Sequence, residues 1–220
     1  MGETVWAIVV AGGSGQRFGS AKQFETLNGR PVHELAVAGA RSVAEGVVLV
    51  IPAGRETDPS IAGAADAVVA GGATRADSVR SGLAAVPAEA GIVVVHDAVR
   101  PLASAALFHG VVEAVEAGAD GAIPGLAITD TVKQVEDGVV RRTLDRSVLV
   151  RVQTPQAFRA LVLREAHAGY PEATDDAALL EALGAVVAVV PGEEGNIKIT
   201  AQSDLALAEW LDRVARLDQT

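Results

Sequence analysis

Val5-Trp6-Ala7-Ile8-Val9-Val10 runs without a charged residue into Ala11-Gly12-Gly13-Ser14-Gly15-Gln16-Arg17-Phe18-Gly19-Ser20-Ala21-Lys22-Gln23. A short apolar run of this kind, rich in β-branched residues, reads as a strand covered on both faces. The glycines that follow let backbone N–H groups approach an anion closely, as phosphate cradles do after buried strands. Two familiar cradles fail here. The pattern G-x-G-x-x-G, started at Gly13 and Gly15, needs glycine where Phe18 stands, and a Walker-type loop needs Gly-Lys-Ser/Thr where Ala21-Lys22-Gln23 stands. What remains is a glycine loop followed by Arg17 and Lys22. Two cations in that place suit the neutralisation of charge on a phosphoryl group under attack. A plain strand-to-helix turn with solvated cations is the alternative reading.

Working outward, further continuous apolar runs occur at 47–51, 67–70, 92–95 and 185–190, with helix-like stretches at 31–44, 76–86 and 103–117. Strand–helix alternation of this sort predicts a layered α/β fold, Rossmann-like, with a mostly parallel central sheet. Ligands in such sheets bind beyond the carboxyl ends of the strands. One region departs from the alternation. Residues 131–135 and 139–144 flank Glu136-Asp137-Gly138, a hairpin with an Asp-Gly turn. Such a hairpin is not stable alone, so it either extends the main sheet or projects as an arm onto a second subunit. Leu207, Trp210, Leu211, Val214 and Leu217 recur at helical spacing, which predicts a core-facing C-terminal helix. No linker divides the chain, so a single domain over 1–220 is expected, with a β-arm at about 129–150.

Composition excludes several function classes. Lys and Arg total 18 against 28 Asp and Glu, a formal charge of −10, which opposes a nucleic-acid binder held by phosphate contacts. With no cysteine there is no disulfide, thiolate metal site or cysteine nucleophile. Met1-Gly2-Glu3-Thr4 lacks a basic leader and no apolar stretch is long enough for a bilayer, so a cytoplasmic protein without membrane attachment is expected. Only Lys22, Lys133 and Lys198 are lysines, in a chain that otherwise uses arginine for its positive charge. Lysine supplies a compact ammonium where arginine supplies a planar fork, so each lysine is a candidate for a specific task.

Two later loops carry chemistry. Gly71-Gly72-Ala73-Thr74-Arg75-Ala76-Asp77-Ser78-Val79 opens a helix; its small residues admit a flat base or ribose, or else Thr74 simply caps the helix. His96-Asp97-Ala98-Val99-Arg100-Pro101 ends a strand, where Asp97 is placed for Mg2+ or for a turn and Arg100 for an anion. His96 reads as a satisfied core histidine, since the four histidines lack metal-ligand spacing. Lys198 lies between Ile197 and Ile199, so it faces the site if the isoleucines face the core.

These motifs, with Thr129-Asp130-Thr131-Val132-Lys133, Asp145-Arg146, Gln153-Thr154-Pro155-Gln156-Ala157-Phe158, Thr174-Asp175-Asp176 and Asn196-Ile197-Lys198-Ile199-Thr200, fall in the order seen in one family. The chain resembles the 2-C-methyl-D-erythritol 4-phosphate cytidylyltransferases of the non-mevalonate isoprenoid pathway. The resemblance implies a cytoplasmic, homodimeric α/β enzyme that uses CTP with Mg2+. It places Ala11, Gly12, Gly13 and Gly15 along the nucleotide, and Gly72, Arg75, Ser78 and Ala98 at its base, ribose or nearby atoms. It makes Arg17 and Lys22 the groups that stabilise the transition state, joined by Lys198 and Arg146. It assigns Asp97 to metal and substrate, and Arg100, Thr131, Arg146, Thr174 and Lys198 to methylerythritol phosphate. In this family the hairpin reaches the partner subunit, so Thr131 and Arg146 are expected to serve the neighbouring site. The sequence departs from the pattern at Ala73, where relatives carry a polar or acidic residue, and at Gly195, where an acidic residue is common.

Two rival readings remain at this point. A ribitol 5-phosphate cytidylyltransferase would share the nucleotide half, with the arm as the discriminating feature. A non-catalytic nucleotide-binding module would share the fold alone. The chain ends soon after its last helix, so one activity is expected rather than a fusion to a second enzyme.

Overall fold

The computed structural model describes residues 3–12, 22–59, 61, 63–169 and 173–217, with Lys22 given by its backbone alone. Its elements, in chain order, begin with β1 (Val5–Val10), β2 (Thr26–Leu27), β3 (Arg30–Pro31) and α1 (Val32–Ala40). Then come β4 (Gly46–Ile51), β5 (Ala67–Ala70), α2 (Arg75–Ala85), β6 (Ile92–Asp97), α3 (Ala105–Glu116) and β7 (Gly121–Ala127). The arm follows as β8 (Lys133–Glu136) and β9 (Val139–Thr143), then β10 (Val150–Val152), β11 (Gln156–Arg159) and α4 (Ala160–Ala166). The chain closes with α5 (Asp176–Ala182), β12 (Val187–Pro191) and α6 (Gln202–Leu217).

β6, β1, β4 and β5 lie side by side and parallel. β10 and β11 run antiparallel to β7, and β11 is also antiparallel to β6, so β7 and β6 point the same way. β12 pairs parallel with β7 on its far edge, since Ala122 is matched to both Ala157 and Ala188. The sheet is therefore mostly parallel, with one reversed segment between β6 and β7. The continuous apolar runs have a direct cause. Val5, Ala7 and Val9 pack with α1 and α3 in one buried cluster, while Ile8, Val48 and Val50 pack with α2, α4 and α5 in another. Both faces are covered, so neither face tolerates the polar residue that alternation would place there. Arg164 of α4 ties one covering helix to the next. Its guanidinium donates to the carbonyls of Leu83, Val86 and Pro87, satisfying groups at the end of α2.

The hairpin does not extend the main sheet. β8 and β9 form a sheet of their own with every residue exposed. Asp137 and Gly138 have φ of 52° and 75°, the paired positive values a tight two-residue turn requires.

The C-terminal helix differs from its expected orientation. Leu207, Trp210 and Leu217 are 46%, 54% and 73% exposed, and Ala208 is the buried residue of α6. The helix packs through Ala208 and Leu205 onto Leu27, Val32 and Ile199. Asn28 fixes this rotation by donating to the Glu209 carbonyl and to Asp212 Oδ2 at 2.7 Å. Of the five residues expected inward, Leu211 and Val214 are half-buried and the other three exposed, so the helix is rotated from the expected face rather than reversed. A small residue permits closer helix approach, and the polar clamp from Asn28 then sets which side turns inward. Helix 31–44 also proves shorter than expected, ending at Ala40.

Candidate active site

Three strand ends converge. Ala11 N donates to Val50 O, Ala98 N to Val10 O, and Gly71 N to Ile51 O, so the loops after β1, β5 and β6 leave the sheet together. Backbone crowding explains their glycines. A Cβ on Gly12 would lie 3.1 Å from Ser78 Oγ, one on Gly71 2.8 Å from the same atom, and one on Gly72 2.1 Å from Asp77 Cβ. Only glycine admits so close an approach. Ser78 is buried in the first turns of α2 and its Oγ donates to Thr74 O. Thr74 caps that helix reciprocally with Asp77, so the capping reading of this loop holds beside whatever it binds.

Asp97 is the hub at the end of β6. Its Oδ2 accepts from Lys198 Nζ at 2.7 Å and its Oδ1 from Arg75 Nε at 3.3 Å. Burial pushes this carboxyl up, but the charges of Arg75 and Lys198 together outweigh burial and hold it well below the usual carboxylate range. Arg75 reaches further, with Nη1 on Asp176 Oδ2 at 2.7 Å. Burial alone would lower the guanidinium, yet Asp176 and Asp97 raise it further above its already high value.

His96 supports Asp97 from beneath. Thr154 Oγ1 accepts from the Asp97 N–H at 3.0 Å, so its own proton goes to His96 Nδ1. That leaves the Nε2–H of His96 to donate to Arg100 O at 3.1 Å. Burial pushes the imidazole down to about 4, against the raising influence of Asp97, so it is neutral at neutral pH. The expectation of a satisfied core histidine is met. The edge-on contact of His96 with Phe108, centroids 5.0 Å apart, completes its packing.

The loop that delivers Lys198 is held by amides. Gln153 Nε2 donates to the carbonyls of Glu193 and Asn196, while its Oε1 accepts from Glu193 N. Asn196 Nδ2 donates to Thr154 O at 2.9 Å. Residues 196–200 are not a strand, yet Ile199 is fully buried and Lys198 faces Asp97, as the alternation suggested.

The structure thus brings together Ala11, Gly12, Gly72, Arg75, Ser78, Asp97, Ala98 and Lys198. Arg75, expected on the nucleotide, turns its guanidinium to two carboxylates. Arg100 lies next to the hub but gives Nη1 to Asn196 O at 2.7 Å. Thr131 and Arg146 are exposed on or beside the arm, with Arg146 donating to Thr129 O, and Thr174 is exposed before α5, whose cap is Asp175. Gly13, Gly15 and Arg17 lie outside the described residues, as does the Lys22 side chain. Thr154, Gln153, Asn196 and Asp176 carry roles that sequence reading did not assign, although each falls in a motif it had marked. A buried amide or hydroxyl between two motifs gives no periodic signal of its own.

The family model described as IspD: 2-C-methyl-D-erythritol 4-phosphate cytidylyltransferase matches residues 5–213. The chain belongs to this family. A 2-C-methyl-D-erythritol 4-phosphate cytidylyltransferase of Nocardia farcinica (strain IFM 10152) is 45% identical, over 97% of this chain and 96% of that protein. The bifunctional enzyme IspD/IspF of Anaeromyxobacter dehalogenans (strain 2CP-C) is 48% identical over 96% of this chain. The chain spans 57% of the length of that bifunctional relative. Among solved structures, 2-C-methyl-D-erythritol 4-phosphate cytidylyltransferase from Thermus thermophilus superposes with a TM-score of 0.81 at 36% identity, covering 97% of this chain and 100% of that one. Membership in the IspD family accounts for the convergence of the three strand-end loops. It also fits the order of the motifs, from the first glycine loop to Lys198.

Proposed function

We propose that the chain transfers CMP from CTP to the phosphate of 2-C-methyl-D-erythritol 4-phosphate, giving 4-diphosphocytidyl-2-C-methyl-D-erythritol and pyrophosphate. The observation that carries this reading is the family match over 5–213, whose motifs meet where the loops after β1, β5 and β6 converge. The nucleophile is a phosphate oxygen that is already anionic, so the attack on the α-phosphorus needs no strong general base. The protein's task is to align two polyanions and to stabilise the charge of the transition state. Gly12, Gly72, Ser78 and Ala98 form the floor for the nucleotide. Arg17 and Lys22 supply charge at the phosphoryl group, and Lys198 and Arg100 border the acceptor's side.

Mg2+ belongs to this reading. Among the described residues no group of three or more His, Asp or Glu side chains could enclose a metal ion. Asp97 is the carboxylate at the end of β6, its oxygens facing Arg75 and Lys198. A single carboxylate of this kind fits Mg2+, which is usually bound with several waters retained, and Asp97 would hold such an ion directly or through water. Bound there, the ion would spread the charge of the triphosphate.

A cytoplasmic homodimer completes the proposal. Among the described residues no helix is long and apolar enough to cross a membrane. Val135, Val139, Val140 and Val148 stand exposed on and beside the arm, apolar surface suited to a second copy. A dimer would bring Thr131 and Arg146 to the partner's site.

The test is pyrophosphate release with MgCTP, run in parallel on 2-C-methyl-D-erythritol 4-phosphate and ribitol 5-phosphate, with light scattering on the same sample. Release with the first acceptor alone is expected, from a particle of two chains. Release with ribitol 5-phosphate alone would transfer the reading to the sister activity. A folded sample that binds CTP and releases nothing would leave a binding module.

A further inference from the structure

We infer that Asp176 is a positioning residue of the active site, acting on Asp97 through Arg75. The inference rests on the cytidylyltransferase reading. Asp176 is 1% exposed at the start of α5. Its Oδ2 accepts from Arg75 Nη1 at 2.7 Å, and its Oδ1 contacts His167 Nε2 at 3.0 Å. Arg75 Nε then reaches Asp97 Oδ1 at 3.3 Å, and Lys198 Nζ occupies Asp97 Oδ2 at 2.7 Å. The four contacts form one chain from the end of α4 to the lysine at the site.

A local structural duty does not explain Asp176. The cap of α5 is already supplied by Asp175, whose Oδ1 accepts from Ala178 N at 3.1 Å. Burying a carboxylate is costly unless it is paired, and this one is paired with a group that a second carboxylate also holds. The division of the guanidinium is the functional point. A planar fork with one carboxylate in reach closes on both of its oxygens. Asp176 holds Nη1, on the far side of the guanidinium, and draws the fork toward α5, so that only Nε reaches Asp97 Oδ1, at 3.3 Å; Nη2, the nitrogen beside Nε, is buried without a hydrogen bond among the described residues, and Asp97 Oδ2 is left to Lys198. Asp176 therefore leaves Asp97 Oδ2 to Lys198 by holding the Nε–Nη2 edge of Arg75 short of closing on both Asp97 oxygens.

Asp176→Asn preserves size and removes the charge. It is expected to lower kcat/KM for 2-C-methyl-D-erythritol 4-phosphate by on the order of 10–100-fold, the scale of a small misplacement of reacting groups. KM for CTP should stay within about twofold, because the nucleotide floor is untouched. His167→Gln, which retains a donor toward Asp176, should keep near-parental turnover, whereas His167→Leu should share the loss. These two variants carry the kinetic test if Asp176→Asn does not fold. A lower melting temperature with unchanged kcat/KM in Asp176→Asn and His167→Leu would overturn the proposal. A crystal structure of Asp176→Asn gives a readout independent of activity. Arg75 is expected on both Asp97 oxygens with Lys198 released, and a retained Lys198–Asp97 pair would also overturn it. Absence of turnover in the parent enzyme would count against the activity reading, and the structural comparison would still decide the role of Asp176.

Discussion

Lys198→Ala is expected to lower kcat with 2-C-methyl-D-erythritol 4-phosphate by on the order of 10²–10³-fold, while CTP binding is nearly unchanged. The size follows from removing a preorganised donor aimed at developing charge, which typically costs about 3–4 kcal/mol. The selectivity follows from geometry. Lys198 enters from the loop before α6 and meets Asp97 at the end of β6, whereas the floor proposed for the nucleotide is built mainly by Gly12, Gly72 and Ser78 from the loops after β1 and β5, with Ala98 alone at the end of β6. Lys198→Arg is expected to recover only part of the loss, because a guanidinium cannot occupy the compact position of an ammonium 2.7 Å from Asp97 Oδ2 while Arg75 holds the other oxygen. Steady-state kinetics with each substrate varied in turn decides the matter. Parental kcat in Lys198→Ala would remove Lys198 from the chemistry.

A second large effect concerns acid. His96 has its imidazole held down to about 4 from an ordinary 6.5, chiefly by burial. Between those two values the unfolded chain binds the proton and the folded one does not. Stability is therefore full above pH 6.5, declines as pH falls through the window, and levels off for this group below about 4. The integrated loss is about 3 kcal/mol. Asp97 and Asp176 act in a different range. Their carboxyls are depressed in the fold, so the stability they bring is present above the ordinary carboxylate value near 3.8 and is lost only as pH falls further. Melting temperatures measured from about pH 7.5 to about 4.5 should thus fall mainly through His96. His96→Asn, which keeps an acceptor for Thr154 without titrating, should flatten the slope although its starting stability is lower. An equal slope in that variant would assign the acid sensitivity elsewhere. Activity of the folded enzyme should fall through this group only as pH nears about 4, where His96 takes up its proton in the fold and can no longer accept from Thr154, which in turn receives the Asp97 N–H.

The sheet was legible because physics leaves few choices for strands covered on both faces. The runs at 5–10, 47–51, 67–70 and 92–95 all became strands of the parallel half. β7 was missed because Gly121, Pro124 and Gly125 argue against a strand, and tertiary pairing with β10, β11 and β12 overrides that preference. The rotation of α6 was missed because it depends on Asn28, which is distant in sequence and polar. In the site, cationic and acidic residues at strand ends were found from position and type. The partner of each was not. Arg75 could be marked as important from its loop, but that it spans two carboxylates depends on how α2 and α5 lie across the sheet.

The two ion pairs that organise the site, Arg75 with Asp176 and Asp97 with Lys198, each join residues 101 positions apart. Closing such distant contacts is slow relative to pairing β1 with β4, where Trp6 is matched to Gly46, 40 positions on, because chain entropy must be lost before the contact forms. This constellation is therefore expected among the last features to appear during folding. In a chain emerging from the ribosome, the first sheet strands can assemble while Lys198 has yet to be synthesised. In pulse-labelled refolding, amides of β1 and β4 should gain protection before those of residues 196–199. Simultaneous protection would show that the hub forms with the sheet and helps to nucleate it.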